Sequence, residues 1–114
     1  MSQAVADRRR CTRKRVQLRA DYDSKSMELT GSVTCISRSG LFMSSDYLDE
    51  LGSMVALDLQ LPNETEPVHL AGRVVRVETG LASSGMGIQF TDLSWRCRLS
   101  ITRFVEEGHS RPLS

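Results

Sequence analysis

Aromatic side chains are scarce, with tryptophan, tyrosine and phenylalanine together making 5% of the 114 residues. A groove for single-stranded nucleic acid wants a row of aromatic stacking platforms, so no nucleic-acid polymer is expected as a partner. Histidine occurs only as His69 and His109, and neither has a metal-ligating neighbour in sequence. The cysteines Cys11, Cys35 and Cys97 are widely spaced and odd in number, and no Cys-x-x-Cys pair exists, so neither a zinc site nor a redox motif is suggested. Reduced thiols fit a cytosolic protein. No apolar run approaches the roughly 20 residues that span a bilayer. The beginning of the sequence is polar and then basic, unlike a signal peptide. These absences lead to an expectation of a cytoplasmic protein with no membrane insertion. No Ser/His/Asp or Cys/His set is apparent, so catalysis has no basis in the sequence, and neither an enzyme nor a cofactor is expected.

What is present is an ordinary globular composition, 39% hydrophobic and 25% charged. The length suits one small domain with a single core. The net charge of +1 conceals an asymmetry. Residues 1–19 carry seven basic side chains against Asp7 alone, a net of +6, while the remainder nets −5. A basic arm on a mildly acidic body suits an anionic partner, although a solvated tail would show the same charge run.

The patterning is mostly of period two. Val16, Leu18, Ala20 and Tyr22 share one face, opposite Arg15, Gln17, Arg19 and Asp21, which predicts a first strand. Asp23 to Ser26 reads as a turn, residues 27–36 as a second strand, and Leu41-Phe42-Met43 as a short third one. A polar connection at 46–52, with room for a helical turn, holds Asp46, Asp49 and Glu50 as a solvated cluster. Val55, Leu57, Leu59 and Leu61 predict an inward face for a fourth strand. In the fifth, residues 68–77, the apolar phase shifts near Gly72, which predicts a bulge or a barrel corner there, flanked by Arg73 and Arg76. Met86, Ile88 and Phe90 give a last strand face. After Asp92 the spacing becomes helical, with Leu93, Cys97, Ile101, Phe104 and Val105 on one side. Asp92 or Ser94 is placed to cap the helix start and Gly108 to cap its end, with Trp95 packed on the body. Six short strands and one helix argue for a small antiparallel barrel.

Two motifs stand out. Arg9-Arg10-Cys11-Thr12-Arg13 precedes the first strand, and Cys35-Ile36-Ser37-Arg38-Ser39-Gly40 follows the second. An arginine fork matches phosphate oxygens and the O6 and N7 acceptors of guanine, and its plane stacks on purines. Ser37 offers a hydroxyl, and Gly40 allows positive φ or a close approach of backbone to a ligand. Either feature alone also reads as a basic tail or a plain turn. Together, and followed by Gly85-Met86-Gly87-Ile88-Gln89-Phe90, they resemble the PilZ family over roughly residues 8–107.

The resemblance implies an all-β fold, a six-stranded antiparallel PilZ-type barrel with a C-terminal helix. It divides the chain into a flexible segment at 1–8, the PilZ domain at 9–107 and a tail at 108–114. It implies a receptor for cyclic di-GMP held between the arginine arm and the barrel. Arg9, Arg10, Arg13, Cys35, Ser37 and Gly40 are the expected ligand-binding residues. The output would pass to a protein partner in motility, pili, exopolysaccharide synthesis or development. The family's second motif begins with Asp or Asn where this chain has Cys35, a weak hydrogen-bonding group. That departure leaves open a degenerate adaptor that acts through protein contacts without the nucleotide. As a bare residue, Cys35 also reads as a small buried strand position.

Overall fold

The computed structural model describes residues 13–80 and 84–110, with the side chains of 14–80 and 84–106. The expected flexible segment at 1–8, together with Arg9 and Arg10, lies outside the described residues. Among the described residues six strands run in chain order: β1 (Arg13–Ser24), β2 (Glu28–Ser37), β3 (Gly40–Ser44), β4 (Met54–Leu59), β5 (Val68–Thr79) and β6 (Ser84–Phe90). They close into a barrel in the order β1-β2-β3-β6-β5-β4, every neighbouring pair antiparallel. One helix follows, α1 (Trp95–Ser110).

The alternating apolar positions drive this closure. Tyr22, Val33, Ile36, Met43, Leu57, Leu59, Val74, Met86 and Ile88 all point inward and are almost wholly buried. Each such side chain contributes about 1.5–3 kcal/mol on leaving water. α1 packs against β1, β2 and β5 through Ile101, Phe104 and Val105. Ser94 caps it, its Oγ accepting the Cys97 N–H at 3.2 Å. The Cys97 thiol donates to the His69 carbonyl at 3.2 Å, and Lys14 Nζ donates to the Phe104 carbonyl while lying 3.8 Å from the centre of that ring.

Five sequence expectations are corrected here. The bulge in β5 falls at Val75, not Gly72: Val68, Leu70, Gly72 and Val74 keep one phase, and the ladder with β6 slips between Val74 and Arg76. Gly108 does not cap α1, which continues to Ser110. Trp95 is 71% exposed and does not pack on the barrel. Residues 46–52 form bends and a turn, with no helical turn. Asp49 is not solvated but 6% exposed, because its carboxylate closes the β3–β4 connection onto β1. Asp49 accepts hydrogen bonds from the Tyr22 hydroxyl at 2.8 Å and the Ser24 hydroxyl at 2.6 Å. Burial by itself would raise its pKa, but bonds from Ser24, Tyr22 and the Glu50 N–H outweigh that and hold it below the ordinary carboxylate value. Tyr22 is pushed well above the usual phenol value, first by burial and then by its bond to Asp49 and the charge there.

Candidate functional site

The first motif meets the second at one end of the β1–β2 ladder. Arg13 begins β1 and stands opposite Ser37, and Arg15 stands opposite Cys35. Arg13 is therefore extended, not part of a helical turn. Thr34 is the irregular point of β2: Val16 and Gln17 face it as a pair across β1, and it has no partner on β3. Such bulges re-aim the residues that follow. Cys35 consequently sits outward, half-buried, between Arg15 on β1 and Phe42 on β3. It is not a core residue.

The turn that follows is internally bonded. Ser37 Oγ accepts the Ser39 N–H at 3.3 Å and donates to the Gly40 carbonyl at 3.3 Å. The Ser39 carbonyl accepts the Phe90 N–H at 2.9 Å, tying the turn to the end of β6. Arg38 reaches Glu106 of α1 at 3.8 Å, an exposed pair of little energetic weight. Among the described glycines only Gly52 has positive φ, so that freedom is not what Gly40 supplies. Gly40 serves a close approach between strands: an added Cβ would lie 2.4 Å from the Ile88 carbonyl oxygen.

Ser37, Gly40 and Cys35 line a surface cavity of about 420 Å³, walled on its other side by Phe42, Val75, Arg76 and Gly87. A second cavity of about 450 Å³ adjoins it, lined by Arg15, Thr34 and Glu78 and sharing Cys35, Phe42 and Arg76. The shared residues belong to a row that crosses five strands: Arg15, Cys35, Phe42, Gly87 and Arg76 are successive ladder partners on β1, β2, β3, β6 and β5. At about 4.8 Å per strand the row is roughly 19 Å long. It carries a guanidinium at each end and a soft, partly apolar middle. On the far side of the turn a third cavity, about 470 Å³, is lined by Arg38, Arg98 and Asp92 among others.

The structure thus brings Arg13, Cys35, Ser37 and Gly40 together, while Arg9 and Arg10 lie outside the described residues. Sequence reasoning did not place Arg15 and Phe42 in the site and set Arg76 only beside the bulge of the fifth strand. The outward alternation of β1 contains the signal for Arg15. Pairing Arg15 with Cys35 needs the register, which depends on the bulge at Thr34.

The described residues thus form a closed six-stranded barrel with a helix laid on it and a surface cavity beside the β2–β3 turn. The chain belongs to the PilZ domain family, which matches residues 7–107. Its fold is similar to that of the Bacillus subtilis inhibitor of motility MotI/DgrA, at 13% identity and a TM-score of 0.79, covering 91% of this chain and 52% of that one. It is similar to the PilZ domain of Escherichia coli YcgR solved with c-di-GMP, at 11% identity and a TM-score of 0.69, covering 90% and 92%. It is similar also to the PilZ domain of CeSA from a cellulose-synthesizing bacterium, at 18% identity and a TM-score of 0.63, covering 83% and 95%. The chain spans about half the length of the Bacillus protein. No curated protein matches it in sequence. Among the described residues no helix is long and apolar enough to cross a membrane.

Proposed function

We propose that this domain binds cyclic di-GMP in the cleft beside the β2–β3 turn and passes the signal to a partner protein. The observation that carries the reading is the pairing of Arg13 with Ser37, a residue that lines the cavity together with Gly40. Arg9, Arg10 and Arg13 would supply forks for phosphate and guanine, Ser37 a hydroxyl, and Gly40 a stretch of the cavity wall. Binding would close residues 9–13 over the barrel and change the surface offered to the partner, in the cytoplasm. The c-di-GMP in the YcgR structure and the motility inhibition named for the Bacillus protein support this reading and favour motility as the process. Pili, exopolysaccharide synthesis and development are the other outputs the family admits.

Cys35 supports a second reading. It faces the cavity at the position where the family carries Asp or Asn, and its thiol is a poor acceptor for guanine N–H groups. Losing one charge-assisted bond costs about 1.5–3 kcal/mol, or about one to two decades in affinity. The second reading is an adaptor that acts without the nucleotide. Calorimetric titration with cyclic di-GMP separates the two: saturable binding supports the receptor, and no heat up to millimolar nucleotide supports the adaptor.

A further inference from the structure

The motifs account for one wall of the 420 Å³ cavity, and the opposite wall, Phe42, Gly87, Val75 and Arg76, has no role yet. Two features of the sequence converge on it. The first is the bulge at Val75. Val74 points inward at 1% exposure, so strict alternation would turn Arg76 inward as well. The extra residue turns Arg76 outward and returns Val77 to the core side. The second is the pair Gly85 and Gly87, outward positions of β6 between inward Met86 and Ile88. A Cβ on Gly85 would lie 2.6 Å from the Phe42 ring, and one on Gly87 would lie 3.2 Å from Arg76 Cβ. The glycines leave a bare track on which Phe42 lies down and across which Arg76 leans. The guanidinium carbon of Arg76 stands 5.7 Å from the centre of the Phe42 ring. Arg76 Nε lies 2.9 Å from a carboxylate oxygen of Glu78, an ion pair between two half-exposed side chains.

We propose that Arg76 is a further nucleotide-binding arginine, its guanidinium plane stacking on a guanine of the cyclic dinucleotide in this cavity with Phe42 as the wall behind it. The inference rests on the nucleotide reading above and adds a grip at the end of the row opposite the arm. Stacking is favoured over phosphate capture because the Glu78 carboxylate already offsets the Arg76 charge, while Arg76 lines the cavity with its guanidinium beside the Phe42 ring.

The test is calorimetric titration of cyclic di-GMP, at fixed salt, into the wild-type chain and into Arg76→Ala, Arg76→Lys and Arg103→Ala. Arg103 is exposed on α1 and lines none of the three cavities. Arg76→Ala is expected to weaken binding by about tenfold or more. Arg76→Lys is expected to weaken it nearly as much, since it keeps the charge and loses the plane. Arg103→Ala should stay within about twofold of the wild type. Phe42→Leu combined with Arg76→Ala should lose less than the product of the single effects, because both act on one base. Thermal melts check folding, and Arg76, about half exposed, should leave the melting temperature unchanged. Full affinity in Arg76→Lys means that charge alone acts and overturns the stacking assignment. Arg76→Ala within about twofold of wild type, while Arg13→Ala still weakens binding, overturns the role of Arg76 and leaves the nucleotide reading standing. Failure of the wild type to bind overturns that reading and this inference with it.

Discussion

Arg13 stands directly across the β1–β2 ladder from Ser37. Ladder partners have Cα atoms about 4.5–5.5 Å apart, so two motifs separated by more than twenty residues of sequence share one point in space. The arm is rooted at the turn it would have to reach.

That rooting makes the arm's contribution specific. Arg9→Ala and Arg13→Ala are each expected to weaken cyclic di-GMP binding far more than Arg111→Ala, by about tenfold or more for the loss of a bidentate contact. All affinities should fall with added salt. Equal losses from the three substitutions in a calorimetric series would instead indicate general charge attraction.

Cys35→Asp tests the departure from the family pattern. The side chain faces two cavities that Arg15 and Arg76 also line, so a carboxylate there would be solvated and near positive charge. It should tighten cyclic di-GMP binding by about one to two decades with little change in melting temperature. A folded Cys35→Asp protein that still ignores the nucleotide would sink the receptor reading and leave the adaptor.

Gly40→Ala should disturb the barrel itself. Its Cβ would meet the Ile88 carbonyl oxygen at 2.4 Å, a backbone atom that moves only if β3 and β6 separate. The expected cost is about 1–3 kcal/mol, a fall of roughly 5–20 °C in melting temperature. A scanning melt equal to wild type would show that the strands yield more readily than this.

The buried Asp49 predicts the pH dependence. Its depressed pKa means it contributes stability that is complete above the unfolded value, near 3.9, and is lost as pH falls through the folded one. Tyr22 has the opposite sense: its raised pKa adds stability below about 10 that is lost as pH rises further. Denaturant unfolding of Asp49→Asn should therefore be less acid-sensitive than wild type between about pH 5 and 2. Tyr22→Phe should be less sensitive above about pH 10. Asp49→Ala, which leaves the Tyr22 hydroxyl without its partner, should cost about 2–4 kcal/mol at neutral pH.

The inward faces of the strands were legible because period-two patterning reports burial directly, as Val55, Leu57, Leu59 and Leu61 show. The helix was legible for the same reason at its own period. Harder to read were positions where one residue is inserted. Val75 is apolar and β-branched, so the sequence gives no sign that it is 50% exposed, and the nearby Gly72 drew the bulge to itself. Asp49 was misread because a carboxylate in a polar loop is ordinarily solvated. Its burial depends on Tyr22 and Ser24, at the far end of β1 and more than two dozen residues away. The row from Arg15 to Arg76 joins five strands and follows from registers that bulges at Thr34 and Val75 set, so no local pattern contains it.

Closure of the barrel limits how other proteins can recognise it. Among the described residues each of the six strands pairs with a neighbour on both sides, although β1 meets β4 only over Ala20–Ser24 and β2 meets β3 only from Ser32 onward. Over the stretches paired on both sides an extended peptide cannot add itself as a further strand, a common route to promiscuous association. A partner that docks on those stretches has to read side chains, and its choice is written in the outward residues that differ between barrels of the same shape.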